Sequence, residues 1–591
     1  MKRSELNEKD IWRIEDIFSS VAEWEKEFSE VNKALVSILS YKGKLSDKYS
    51  FIACMECNSA LMQRLERLIC YAQLLHDQNG TDEAGLSLYG KSEDLYMHYA
   101  TYSSYITPEL GKLDDVTLSS YINDPDLAVY KYMLSEIRRS KRHILSPEEE
   151  RILALGATAF GGYSNVFGMI NNVDMPFPMI RMGEKKVRLT HGLYAQSLSS
   201  PDRDLRKRAF NGMYSAVESL INTITANYAA SVAKDNFLAT ARGYNSAVEK
   251  STDADNVPGE VYLKLVRTVG ENLAPLHKYV SLRKRAMGLD KIHMYDLHVS
   301  IVKDADLKLS YDEAFDLVLK GLAPMGEEYG NLLKTAKQSR WIDVYETENK
   351  RSGAYSMGVC GVHPFVLLNY SSTPHDVFTI AHELGHSIHS YYSSKTQDYV
   401  NADYSIFVAE VASTVNEVLL LKYMLSTEKD EAMRKFLLSY YLDMFRTTLF
   451  RQTMFAEFEL LSHTMAKEGK PLTVESLSKE YMKLNRKYYG SDIVHDRAIR
   501  YEWARIPHFY SAFYVYKYAT GITSAVNIAN DILANGESAV ERYKKFFLSA
   551  GGSKSPYDIL CDVGVDLCTD EPYRVAMNEF ADTLGKLEEI I

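Results

Sequence analysis

His382-Glu383-Leu384-Gly385-His386 sets two imidazoles four residues apart, with a carboxylate beside the first. On a helix, residues four apart differ by about 40° around the axis, so both rings can reach one metal ion while Glu383 projects about 100° away. A neutral imidazole suits zinc, and a carboxylate that is not itself a ligand can take a proton from the water the metal activates. The chemistry these residues could do is metal-assisted hydrolysis.

That chemistry needs a helix to carry it. Val377, Ile380, Ala381, Leu384 and Ile388 recur at helical spacing, and Thr373-Pro374 supplies a capping residue and a proline at the first helical position. The motif is therefore expected in a buried amphipathic helix. Two His and a Glu could instead form a metal-free polar patch, but burying three such groups without a partner is costly.

A catalytic zinc takes three protein ligands and keeps one position open. A third His in the extended H-E-x-x-H-x-x-G-x-x-H pattern would need Gly where this chain has His389 and His where it has Tyr392. His389 is then expected behind the ligands or at the surface. The next helical segment, Tyr404 to Leu421, is apolar on one side (Phe407, Val411, Val415, Val418), with Glu410 and Glu417 two turns apart on one face. Glu410 is assigned as the third ligand, and Glu417 as the group that orients a ligand histidine through its other ring nitrogen. Spacing alone also permits the reverse.

Acyl transfer further requires donors for the carbonyl oxygen as it becomes negative. The segment His508-Phe-Tyr510-Ser-Ala-Phe-Tyr514-Val-Tyr516-Lys-Tyr518 offers imidazole and phenols, with Tyr510, Tyr514 and Tyr518 read as one helical stripe. With 42 Tyr in the chain, core packing gives the same pattern. The glycine-rich run Ser352 to Pro364, followed by the apolar Phe365 to Leu368, predicts a strand whose edge could pair with peptide backbone near Gly353 and Ala354. Those glycines could equally be turn residues. Cys360 has no partner at metal-ligand spacing and is expected to be inert.

Together these stretches resemble oligoendopeptidase F, within the thimet oligopeptidase-like metallopeptidases. The resemblance rests on His382-Glu383-x-x-His386, on Glu410-Val-Ala-Ser-Thr414 and on Asn416-Glu417. It extends to Ser200-Pro-Asp-Arg203-Asp-Leu-Arg-Lys-Arg-Ala209-Phe, Gly353-Ala-Tyr-Ser356, Pro364-Phe-Val-Leu-Leu-Asn369-Tyr and Arg505-Ile-Pro-His508-Phe-Tyr510, across roughly residues 110 to 585. It implies Glu410 rather than Glu417 as the third zinc ligand. It also implies that His508 and one or two of Tyr510 and Tyr514, with Tyr516 in reserve, contact substrate and the tetrahedral intermediate, and that substrates are oligopeptides of restricted length.

The 591 residues suffice for several cores, with 46% hydrophobic and 25% charged residues, ordinary for a globular chain. A net charge of −11 argues against a nucleic-acid surface. No apolar run approaches a membrane span, and the N-terminus lacks the apolar core of a signal peptide, so a cytoplasmic protein is expected. Six scattered Cys are too sparse for a disulfide framework. Helical periods dominate residues 12 to 40, 49 to 76, 83 to 104, 126 to 139 and 204 to past 285, with Pro125, Pro147 and Gly161-Gly162 as punctuation. A hairpin is predicted over Met175 to Thr190, and a small sheet over 340 to 370, directly before the motif helix.

The expected protein is mainly α, a zincin-type metallopeptidase with a small sheet beside the zinc helix and a deep substrate channel. It is divided into an N-terminal helical region, 1–195, and a catalytic region, 196–591. The expected function is a zinc-dependent endopeptidase of oligopeptides holding one Zn²⁺ per chain, with Glu383 as general base. Two alternatives are a zinc exopeptidase and a helical protein that binds peptides without cutting them.

Overall fold

A computed structural model of the chain describes residues 2–302 and 308–591. Helices carry most of it, and the sheets are small: the expected mainly α class is what the chain adopts. None of the described helices is long and apolar enough to cross a membrane. The residues form two compact units, each built from three chain segments: Met1–Arg142, Leu307–Tyr423 and Ile528–Gly564 in the first, His143–Asp306, Met424–Asn527 and Val565–Ile591 in the second. Residue 195, the expected boundary, falls within the second unit, in the helix His191–Leu198.

In the first unit, the helices Val21–Ala34, Lys48–Gln78 and Glu83–Ser103 each start on a side-chain cap: Ser20, Asp47 and Asp82 accept the backbone N–H three residues on. Their apolar faces enclose Trp12, Trp24, Phe51, Leu65 and Leu68, and Trp24 Nε1 donates to the Leu68 carbonyl at 2.9 Å. In the second unit, the predicted hairpin is present as β1 (Met179–Met182) and β2 (Lys185–Arg188), antiparallel and turning at Gly183, whose φ of 61° favours glycine. There too, β3 (Ile292–His293) pairs in parallel with two residues, Ile493–Val494, from much later in the chain.

Gly161 and Gly162, read as punctuation, lie inside a continuous helix, Pro147–Met169. Its start is strongly set: Ser146 accepts the Glu149 N–H, Glu149 accepts the Ser146 N–H, and Pro147 occupies the first turn. Two interior glycines cost about 1 kcal/mol each, and the twenty-three-residue helix absorbs that.

The sheet that precedes the motif helix consists of β4 (Ile342–Tyr345), β5 (Tyr355–Met357) and β6 (Phe365–Tyr370), ordered β4-β6-β5. β6 is central, parallel to β4 and antiparallel to β5, which accounts for its unbroken apolar run from Phe365 to Leu368. A buried lysine ties the sheet together. Lys350 Nζ donates to the carbonyls of Tyr345 (2.7 Å) and Leu368 (2.6 Å), and pairs with Asp343 Oδ1 at 2.7 Å; both side chains are fully buried. Arg3 holds the other oxygen of Asp343 at 2.5 Å. Replacing Lys350 with Met should strip three acceptors of their donor and lower stability by about 3 kcal/mol, read as an earlier urea unfolding midpoint. An unchanged midpoint would show that the lysine does not hold the sheet.

Candidate active site

The motif helix spans Pro374–Thr396. Thr373 and Asp376 form a reciprocal capping box at its start, with Pro374 in the first turn. Val377, Phe378, Ile380, Ala381, Leu384 and Ile388 are buried, as the periodicity requires. The helix that carries Glu410 spans Ile406–Thr427 and buries Phe407, Val411, Val415 and Val418.

The two helices meet at Gly385. A Cβ at this position would fall 2.5 Å from the Ser413 Cα and 2.8 Å from the Ala412 carbonyl oxygen. Only glycine allows that approach. A second tie lies one turn away, where Asn416 Nδ2 donates to the Ala381 carbonyl at 3.1 Å and Tyr329 Oη donates to Asn416 Oδ1 at 3.0 Å.

This packing gathers the predicted ligands. His382 Nε2 and His386 Nε2 are 3.2 Å apart, and Glu410 Oε2 is 3.4 Å from the first and 3.6 Å from the second. Ligands about 2.05 Å from a tetrahedral zinc are about 3.3 Å from one another, so the three atoms stand at the separations such an ion requires. Glu417 Oε1 accepts from His382 Nδ1 at 2.5 Å. A carboxylate only accepts, so Nδ1 carries a proton and Nε2 is the ring atom that faces His386 and Glu410. Burial alone would lower the His382 pKa, but Glu410 and Glu417 overcome it and raise it to about 10. A metal ion bound there would displace a proton.

Glu383 is buried, and desolvation raises its pKa, partly offset by the two histidines. Its own carbonyl accepts from Ser387 Oγ at 2.9 Å; that hydroxyl in turn accepts from Ser356 Oγ of β5 at 2.8 Å, which docks the strand on the motif helix. β5 is one of the sheet's two edge strands. Just before it, Gly353 has a φ of 87°, and its carbonyl accepts from Asn369 Nδ2 at 2.7 Å; Ala354 is half-buried. Cys360 is a free thiol, raised in pKa by burial, consistent with an inert residue.

Two expectations need correction. His389 is not at the surface but buried behind His386, stacked on Tyr404 at 3.7 Å and Phe547 at 5.2 Å, and burial, then the field of His386, pushes its pKa down to about 3. The run from His508 to Tyr518 is not one helical stripe. Pro507–Tyr510 is a 3-10 turn, Phe513 takes a left-handed φ of 59°, and the α-helix starts only at Tyr516. The phenols consequently separate. Tyr510 stacks on Phe167 at 4.6 Å in the core of the second unit, and Tyr516 is fully buried against Tyr262. His508, Tyr514 and Tyr518 stay together: His508 Nε2 is 3.3 Å from Tyr518 Oη, its ring stacks on Tyr514 at 5.9 Å, and burial, then Arg451, lowers the His508 pKa.

The sequence assigns no role to Gly385, Asn416 or Ser387. Gly385 carried a signal, a helix-breaking residue inside an otherwise strong helix, whereas the other two are visible only once the helices are paired.

Fold and site together define a helical protein with a metal-ligand triad on two packed helices, the arrangement of a metallohydrolase. The model of peptidase family M3 matches residues 196–579, and that of oligopeptidase F matches residues 109–177. Oligopeptidase PepF of Bacillus subtilis is 43% identical over all of this chain and 88% of its own length, and group B oligopeptidase PepB of Streptococcus agalactiae is 37% identical over all of this chain and 98% of its own. The crystal structure of oligoendopeptidase-F from Enterococcus faecium, 35% identical, superposes with a TM-score of 0.74 over 96% of this chain and 99% of that one. The chain belongs to peptidase family M3, among its oligoendopeptidase F members, and is a metallo-oligopeptidase.

The Gly385 contact yields a direct check. Gly385→Ala should force the two helices apart, lower the melting temperature by several degrees and weaken metal retention, because the clash is with backbone and cannot be relieved by a rotamer. A variant that melts and holds metal like the parent would refute the close-approach account.

Proposed function

We propose that this chain is a zinc-dependent endopeptidase that cleaves short oligopeptides, with His382, His386 and Glu410 as the metal ligands and Glu383 as general base. The observation that carries the reading is the mutual spacing of the three ligand atoms, which all lie within 4.8 Å of one another and individually match a tetrahedral site. Bound zinc supplies a Lewis acid that polarises the scissile carbonyl and acidifies water.

The chain's own residues do the rest. Glu417 holds the His382 ring with its Nε2 lone pair free. Glu383, poised by desolvation above the usual carboxylate range, takes a proton from the attacking water and delivers it to the leaving amine. The edge of β5, with Gly353 and Ala354 leading into it, takes peptide backbone as an added strand. We assign His508 and Tyr514 as donors to the carbonyl oxygen, in line with the resemblance; Tyr510 and Tyr516, by their burial, are better suited to supporting that segment than to touching substrate. His508→Ala or Tyr514→Phe should then reduce kcat without loss of metal, and unchanged turnover in both would remove them from the reaction.

A cytoplasmic location suits six scattered cysteines, too sparse for a disulfide framework. Recovery of the native protein from the secreted fraction would argue against it.

Glu383→Gln should keep its zinc and lose turnover by a factor of about 10² to 10⁴, whereas His382→Ala should lose the metal. A Glu383→Gln enzyme as fast as the parent on a quenched peptide would contradict the general-base role. Glu417→Gln should retain the fold and bind zinc about 10- to 100-fold more weakly, measured by competition with a chelator. An unchanged affinity would mean that the carboxylate does not orient His382. A peptide blocked at both ends should still be cut; resistance of every blocked peptide would favour the exopeptidase alternative.

A further inference from the structure

The second unit contains a surplus of positive charge that none of the proposed chemistry uses. The helix Glu431–Phe445 opens into a π-helical turn, Arg446–Phe450, before continuing as Arg451–Lys467, and the turn sets Arg446 and Arg451 one wide turn apart. Arg446 Nε donates to Asp443 Oδ1 at 2.7 Å, and Arg283 Nη1 is 3.4 Å from the other oxygen of the same carboxylate. Arg451 Nη2 donates to Glu502 Oε1 at 2.5 Å, and Arg505 Nη1 is 3.9 Å from that oxygen. Each carboxylate is thus shared between two guanidiniums, so four cations face two anions. Asp443 and Glu502 also accept from phenols, Tyr279 at 3.1 Å and Tyr481 at 2.6 Å, which adds no negative charge. Uncompensated charge of this kind is expensive to hold out of water.

Of these arginines, Arg283 contacts the turn that carries an exposed residue, His298. Arg283, whose side chain is fully buried, donates through Nη2 to the carbonyls of Asp296 (3.2 Å) and Val299 (2.5 Å), on either side of His298, and so fixes the turn that holds it. The Nε atoms of Arg283 and Arg505 are buried without an acceptor. His298 itself is exposed, yet desolvation, followed by the fields of Arg446, Arg451, Arg283 and Arg505, holds its pKa well below the usual imidazole range. It is a neutral donor and acceptor at the mouth of a cationic cluster.

We propose that the cluster of Arg283, Arg446, Arg451 and Arg505 around His298 is an anion-binding site that takes an oxyanion of the carboxylate or phosphate type. Planar guanidiniums match such oxygens in pairs, and the neutral imidazole adds an N–H donor. The oxyanion could be free in solution or be the terminal carboxylate of a peptide. The inference stands apart from the zinc reading, since its test involves binding alone.

The experiment is thermal unfolding of the full chain titrated with sodium phosphate and, separately, sodium acetate at fixed ionic strength and pH 7, for the parent and for His298→Glu, which places a carboxylate at the cluster. The parent should gain several degrees as the anion saturates the site. His298→Glu should start higher and respond to neither. A parent that shifts no more than the variant would overturn the proposal, as would a variant that melts lower and still responds in full. His298→Ala, expected to keep a reduced response, separates loss of the ring from supply of a charge; a full response in both variants also counts against the site. A peptide added as the free acid or as its amide identifies the source. Suppression of the phosphate shift by the acid alone points to a peptide terminus, and suppression by neither points to a free anion; either supports the site.

Discussion

At Gly385 the motif helix comes so close to Ser413 that no side chain fits between them, and this contact sets the distance over which Glu410 must reach the two histidines. A carboxylate that joins two histidines from a different helix is placed accurately only to the extent that the helix pair is rigid. Burial of both apolar faces supplies the attraction, and the Asn416 bond to the Ala381 carbonyl fixes the register one turn from the contact. With Tyr329 completing the asparagine's partners, that polar tie is paired at both ends of its amide.

The electrostatics follow from the same packing. Glu417 projects two turns from Glu410 on the same helix and meets the far side of the His382 ring, so a single helix provides both an oxygen at the triad and the acceptor that settles the histidine's tautomer. An imidazole held between two carboxylates favours its protonated form, so an ion bound there would have to displace that proton. Glu383 experiences the opposite environment. Buried within the motif helix's packing, it is pushed toward the protonated form, and a carboxyl raised in that way is a better proton acceptor than a solvated one.

Much of this was legible in the residues themselves. The Thr373-Pro374 cap, the apolar period of the motif helix, the seven-residue spacing of Glu410 and Glu417, and the Gly183 hairpin all encode local geometry, and local geometry is what propensity and spacing report. The errors came where tertiary packing decides. His389 looks polar and exposed in sequence, but two aromatic rings enclose it; Phe513 looks like an ordinary helical residue, but its left-handed φ ends the stripe that Tyr510 and Tyr514 seemed to share. Gly161-Gly162 looked like a break, and a well-capped helix ran through it. Nor does any spacing rule pair Arg283 with Asp443, or Arg451 with Glu502, which come from separate stretches of the chain.

The claim on which the account rests is that three side chains from two helices hold one zinc ion and that turnover depends on it. Stripping the protein with a chelator and adding zinc back, while counting bound metal and following cleavage of a doubly blocked quenched peptide, tests it directly. The account predicts no cleavage in the stripped protein and a rise in activity that saturates at one zinc per chain. Full activity in metal-free protein, or saturation of binding with no return of cleavage, would contradict it.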